Sequence, residues 1–142
     1  MKRIILFSFI LFAALTIRAQ KEGINPGDPS FNKKYENFDF KGQFAVLVYK
    51  TGDYNYLLLD FSKFSTRFER IYFMNLSFTS DKLINIDSDI AKNEVWFKSD
   101  KMYDGPEIIK VFDEMKKKTF TAATSWTEEE KSRWLKENDK YK

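Results

Sequence analysis

Residues 44–60 read Phe44-Ala45-Val46-Leu47-Val48-Tyr49-Lys50-Thr51-Gly52-Asp53-Tyr54-Asn55-Tyr56-Leu57-Leu58-Leu59-Asp60. Two apolar runs rich in β-formers flank the polar turn cluster Thr51-Gly52-Asp53, the pattern of a β-hairpin. Neither run alternates cleanly between apolar and polar residues. Continuous hydrophobicity implies strands covered, at least in part, on both faces. The hairpin therefore sits inside a layered domain.

Working C-terminally, Phe61, Phe64, Phe68 and Ile71 recur at helical spacing, with Lys63, Arg67 and Arg70 between them. The spacing predicts a short helix over residues 62–69 with Asp60 as its cap. Tyr72, Met74, Leu76 and Phe78 then alternate with Phe73, Asn75 and Ser77, which predicts a strand. Two more short strands are expected at residues 83–87 and 94–98, on either side of a polar segment. Asp104-Gly105-Pro106 opens a helix, because proline is favoured in a first turn and an acid there faces the positive dipole end. Ile108, Val111, Phe112 and Met115 form its apolar face, and Lys116, Lys117 and Lys118 are expected to close it. The hydroxyl-rich residues 119–125 read as a connector. A last helix starts at Thr127, where Thr127 and Glu130 have capping-box spacing. Its apolar face, Trp134, Leu135 and Tyr141, is thin, so it packs weakly or waits for a partner.

The element order β-β-α-β-β-β-α-α predicts an α+β fold. Short links favour a mostly antiparallel sheet of about five short strands, with one short and two longer helices laid on one face.

Working N-terminally, Lys2 and Arg3 precede an apolar run over residues 4–17, followed by Arg18, Ala19 and then polar sequence. This is the order of a signal peptide over residues 1–19, and the run is short for a membrane span. The leader resembles those of exported bacterial proteins. Residues 20–34, with Gly23, Pro26, Gly27 and Pro29, read as a flexible linker. Residues 35–142 then form a single domain. On this reading the protein is exported to the periplasm or the cell exterior, with no membrane span after cleavage.

Composition closes several chemistries. The chain has no cysteine and no histidine. Thiol nucleophiles, imidazole bases and zinc sites of the usual kind are thereby excluded. The formal charge of +3 equals the contribution of Lys2, Arg3 and Arg18, so the remainder is balanced. A balanced chain lacks the basic surplus that drives nucleic-acid binding, and no nucleic-acid partner is expected. No cofactor is expected either.

What remains is carboxylates and aromatics. Asp81, Asp87, Asp89, Asn93 and Glu94 gather oxygens in one region, but Ala91 and Lys92 break the EF-hand pattern, and a solvated loop is the plainer reading. A carboxylate pair drawn from Asp60, Asp81, Asp87, Asp104 and Glu107 would permit hydrolysis of the glycosidase kind. For Asp60 the plainer reading is a helix cap. The chain carries 15 Phe, 7 Tyr and 3 Trp. Most of these fill a core, but Tyr54, Tyr56, Tyr72, Trp96, Tyr103, Trp126 and Trp134 have polar edges suited to stacking on a sugar or anchoring a protein, and Trp96, Trp126, Trp134, Tyr54 and Tyr56 are singled out as the binding candidates. Trp96 is expected to be exposed, because Val95 and Phe97 claim the opposite strand face. These residues point to a non-catalytic binding module for a protein or small ligand. The alternatives are a small carboxylate-dependent hydrolase and a structural envelope component.

Overall fold

The hairpin forms as its sequence dictates. β1 (Ala45–Lys50) pairs antiparallel with β2 (Tyr54–Asp60), and the register slips between Leu47 and Tyr49. Thr51 closes the loop: its N–H donates to the Tyr54 carbonyl at 2.8 Å, and its hydroxyl oxygen accepts from the Tyr54 N–H at 2.9 Å. The fold is seen in a computed structural model that describes residues 35–86 and 89–141. The segments read as a signal peptide (residues 1–19) and a linker (residues 20–34), together with Asp87, Ser88 and Lys142, lie outside the described residues.

A 3-10 turn (Phe61–Lys63) follows β2, and then α1 (Arg67–Phe78), β3 (Ile84–Asn85), β4 (Glu94–Asp100), α2 (Gly105–Ser125) and α3 (Glu128–Asn138). All strand pairs are antiparallel and the order is β1-β2-β4-β3. The class is α+β, with four strands among the described residues where about five were expected.

The difference lies at residues 72–78, which are helical. α1 starts at Arg67 and not at residue 62, on a capping box: the Thr66 hydroxyl accepts from the Glu69 N–H, and the Glu69 carboxylate accepts from the Thr66 N–H at 3.0 Å. Two free N–H groups are satisfied at once, which fixes the helix start. Asp60 does act as a cap, but of the 3-10 turn. α2 also departs from expectation, because it runs through residues 119–125 instead of ending at the three lysines. Thr119, Thr121 and Ser125 donate their hydroxyls to the carbonyls four residues back, so their donors are satisfied within the helix.

One sheet face, bearing Leu57, Leu59, Val95 and Phe97, packs against Ile71, Phe73 and Met74 of α1 and Ile108 and Phe112 of α2. Phe73 is central. Its ring lies 5.1–5.5 Å from those of Phe44, Phe61 and Phe64 and 6.3 Å from that of Phe112. Edge-to-face packing of this kind adds to burial, and truncating such a ring to alanine costs about 3–5 kcal/mol. The other sheet face carries Leu58 and Trp96, covered by Tyr35, Phe38 and Phe40 from the segment that precedes β1. Continuous hydrophobicity in the strands thus reflects a sheet packed on both sides.

Candidate functional site

α2 ends at Ser125, and Trp126 takes an extended conformation with its N–H donating to the Ala122 carbonyl at 3.0 Å. Thr127 then caps α3. Trp126 is therefore the joint between two helices, fixed at both sides by backbone hydrogen bonds. Trp134, two turns along α3, reaches back toward it. The two indoles lie 6.3 Å apart at 76°.

α1 completes the cluster. Tyr72 lies 5.6 Å from Trp126 and 5.2 Å from Trp134, and Phe68 lies 5.6 Å and 5.5 Å from the same two rings. Phe68 is buried beneath, whereas Tyr72, Trp126 and Trp134 are half-buried. Tyr72 and Trp126 form one wall of a groove of about 530 Å³ whose other side is the exposed flank of α2, with Glu114, Lys117, Lys118 and Thr121. Elsewhere on α2, Lys116 pairs with Asp113 at 3.3 Å, and Glu107 with Lys82 at 2.6 Å. Glu114, Lys117 and Lys118 enter no ion pair among the described residues and face solvent.

The five aromatic residues singled out from sequence thus divide. Trp126 and Trp134 are brought together. Trp96 is not exposed, contrary to expectation. It is 4% exposed, with the Tyr35 ring edge-on at 5.4 Å. Val95 and Phe97 do claim the opposite face, but the segment at residues 35–40 covers the face Trp96 occupies. Tyr54 and Tyr56 lie on that same outer face, away from the groove. The Lys98 ammonium sits 4.2 Å above the Tyr54 ring, and Tyr56 lies 6.3 Å from Tyr49. Burial, with its tyrosine neighbours, pushes the Tyr56 phenol above its ordinary value.

Sequence reasoning missed Phe68, Lys117 and Lys118, and placed Tyr72 on a strand. The signal was present in Thr66-x-x-Glu69, which starts a helix and puts Phe68 and Tyr72 one turn apart on one side of it.

Among the described carboxylates considered for catalysis, Asp60 lies apart from Asp104 and Glu107. Asp60 accepts from the Ser62 N–H and hydroxyl and lies 3.7 Å from the Lys63 ammonium, so its oxygens serve the turn. Glu94 is its cross-strand partner, and both line a polar hollow of about 320 Å³ with Asp39 and Asn93. Asp104 and Glu107 lie at the start of α2, beyond the far end of β4. In the loop that joins Ile90 to Asn93, a protein cation meets the oxygens. The Arg70 guanidinium donates to the Ile90 carbonyl at 2.7 Å, the Lys92 carbonyl at 3.0 Å and Asn93 Oδ1 at 3.2 Å. Among the described residues there is no cluster of three acidic groups able to hold a metal ion, and no helix long and apolar enough to cross a membrane.

No family model, curated protein or solved structure matches this chain.

Proposed function

We propose that this is a small exported bacterial protein acting as a non-catalytic binding module, and that its site is the groove between α1 and α2. The observation that supports this reading is the Tyr72–Trp126 wall, two half-buried aromatic rings 5.6 Å apart beside unpaired charged groups. Aromatic side chains of this kind combine a large apolar face with a polar edge, and they concentrate binding energy. The helical joint fixes Trp126 before any ligand arrives, which lowers the ordering cost of association.

Retention of envelope components from the native host on immobilised protein tests the site, with Trp126→Ala and Tyr72→Ala run beside wild type. A component retained by wild type and lost from both variants supports the reading. Equal retention by all three overturns it. Export is tested separately by N-terminal sequencing of the natural material, which should begin near Gln20; a cytosolic form retaining Met1 overturns that part.

A further inference from the structure

From the same groove we infer a ligand class: a saccharide carrying an acidic substituent, such as a uronic acid oligomer. This inference rests on the groove being the binding site. Three features of its lining carry it. Tyr72 and Trp126 meet at 83°, so the two rings form a corner, not a flat stack. A pyranose has one apolar C–H face that packs on a ring and a polar rim that needs hydrogen bonds in the plane of the sugar. A corner supplies a plate for the first and leaves the rim facing α2.

The second feature is the donor and acceptor set on α2. Thr121 donates its hydroxyl to the Lys117 carbonyl at 3.0 Å, and Ser125 donates to the Thr121 carbonyl at 2.7 Å. Both hydrogens are spent inside the helix, so both oxygens present lone pairs outward. Lys117 and Lys118 supply donors only, and Glu114 supplies acceptors only. Sugar hydroxyls both donate and accept, and so match a lining that offers the two roles on separate side chains. The lining is mostly carbon and carries a few polar groups, so it suits a ligand with one apolar face and a polar rim.

The third feature is charge. Two ammonium groups and one carboxylate stand side by side on the α2 wall of the groove, and none of the three has an internal partner among the described residues. The surplus is one positive charge, complementary to one acidic group on the ligand. A volume of about 530 Å³ falls in the range of small-molecule sites.

The test uses the purified chain from Gln20 onward, with oligogalacturonate and a neutral cello-oligosaccharide as probes, read by tryptophan fluorescence and by amide NMR shifts. Oligogalacturonate is expected to shift the amides of Ser125, Trp126 and Thr127, with binding weakened about tenfold or more by Trp126→Ala. Trp126→Phe, which preserves the fold and a flat ring, should retain most of the affinity. The Lys117→Gln/Lys118→Gln variant should bind oligogalacturonate several-fold more weakly and lose its salt dependence, with cello-oligosaccharide binding unchanged. Absence of any groove shift with both probes at millimolar concentration overturns the inference, as do shifts confined to Tyr54 and Tyr56. Should envelope components still be retained through Trp126 while neither sugar binds, the binding-module reading stands and the saccharide assignment falls.

Discussion

Arg67 and Asp139, 72 positions apart in sequence, meet through two parallel hydrogen bonds, Nε to Oδ2 at 2.8 Å and Nη2 to Oδ1 at 3.1 Å. The same guanidinium donates to the Tyr141 carbonyl at 2.9 Å. This clasp ties the end of α3 to the start of α1, and α3 itself buries no residue fully. Arg67→Ala should therefore loosen α3 more than the core. The Asp139 side chain is 10% exposed but that of Arg67 is 51% exposed, so solvent screening keeps the loss to about 1 kcal/mol. Hydrogen exchange checks it: amides of residues 128–139 should lose protection while those of β2 and β4 keep theirs.

Asn55 is a buried polar residue with every donor used. Its Nδ2 donates to the Tyr103 carbonyl at 2.9 Å, and to Ser99 Oγ and the Asp100 carbonyl at 3.3 Å. These bonds hold the link from β4 to α2 against β2. Asn55→Leu would take this donor from the Tyr103 carbonyl and Ser99 Oγ, whereas the Asp100 carbonyl keeps the Tyr103 N–H, at a cost of about 2 kcal/mol. Urea unfolding should show a lower midpoint at unchanged slope.

Tyr141 is the opposite case. Its hydroxyl is buried without a hydrogen-bond partner among the described residues, and burial raises its phenol above the ordinary value. Tyr141→Phe removes an unsatisfied group and keeps the ring that lies parallel to Phe78 at 6.5 Å. The variant should be more stable than wild type by up to about 1 kcal/mol, seen as a raised Tm.

These contacts mark where the sequence was legible and where it was not. The hairpin, the start of α2 at Gly105 and the Thr127–Glu130 cap of α3 could be read because each depends on neighbours in the chain. The second half of α1 could not be read from periodicity. Phe73 and Met74 face the core, Phe68 and Tyr72 face Trp126 and Trp134 of the C-terminal region, and Phe78 meets Tyr141. A helix covered on several sides is apolar on several sides, and its 3.6-residue signal blurs into alternation. Trp96 was misjudged for a related reason: its cover comes from Tyr35, distant in sequence, and strand alternation says which face a residue takes but not what lies over it. The groove is legible only in space, since Tyr72 comes from α1 and Trp126 from the joint between α2 and α3.

Gly105 and Leu47 fix how closely α2 approaches the sheet. A Cβ at Gly105 would stand 2.8 Å from Leu47 Cδ2. Because that methyl ends a flexible side chain, Gly105→Ala should cost little, with gained helix propensity offsetting part of the crowding. Gly105→Val cannot be relieved so easily and should cost about 2 kcal/mol. Leu47→Ala should recover part of that loss in the double variant, giving a coupling of about 1 kcal/mol in a thermodynamic cycle.

Glu130 gives α3 a dependence on pH. The Thr127 N–H donates to Glu130 Oε2 at 2.7 Å, and the Thr127 hydroxyl lies 2.9 Å from the same oxygen. The backbone hydrogen bond, then that of the hydroxyl, holds the Glu130 carboxyl below its ordinary value of 4.5. A depressed folded-state value means that ionised Glu130 stabilises the cap. That contribution is present above pH 4.5 and is lost as pH falls through the depressed value. Because Thr127 adjoins Trp126, the loss should appear as a change in tryptophan emission ahead of global unfolding. Glu130→Gln removes the charge at every pH. Its α3 amides should exchange faster than wild type at neutral pH, and the difference between the two proteins should vanish in acid. An emission change of equal size and midpoint in both proteins would place the titrating group elsewhere. If acid weakens the hold of α3 in wild type alone, then the cap also sets the geometry of the Trp126 wall, and groove binding should fall over the same pH interval.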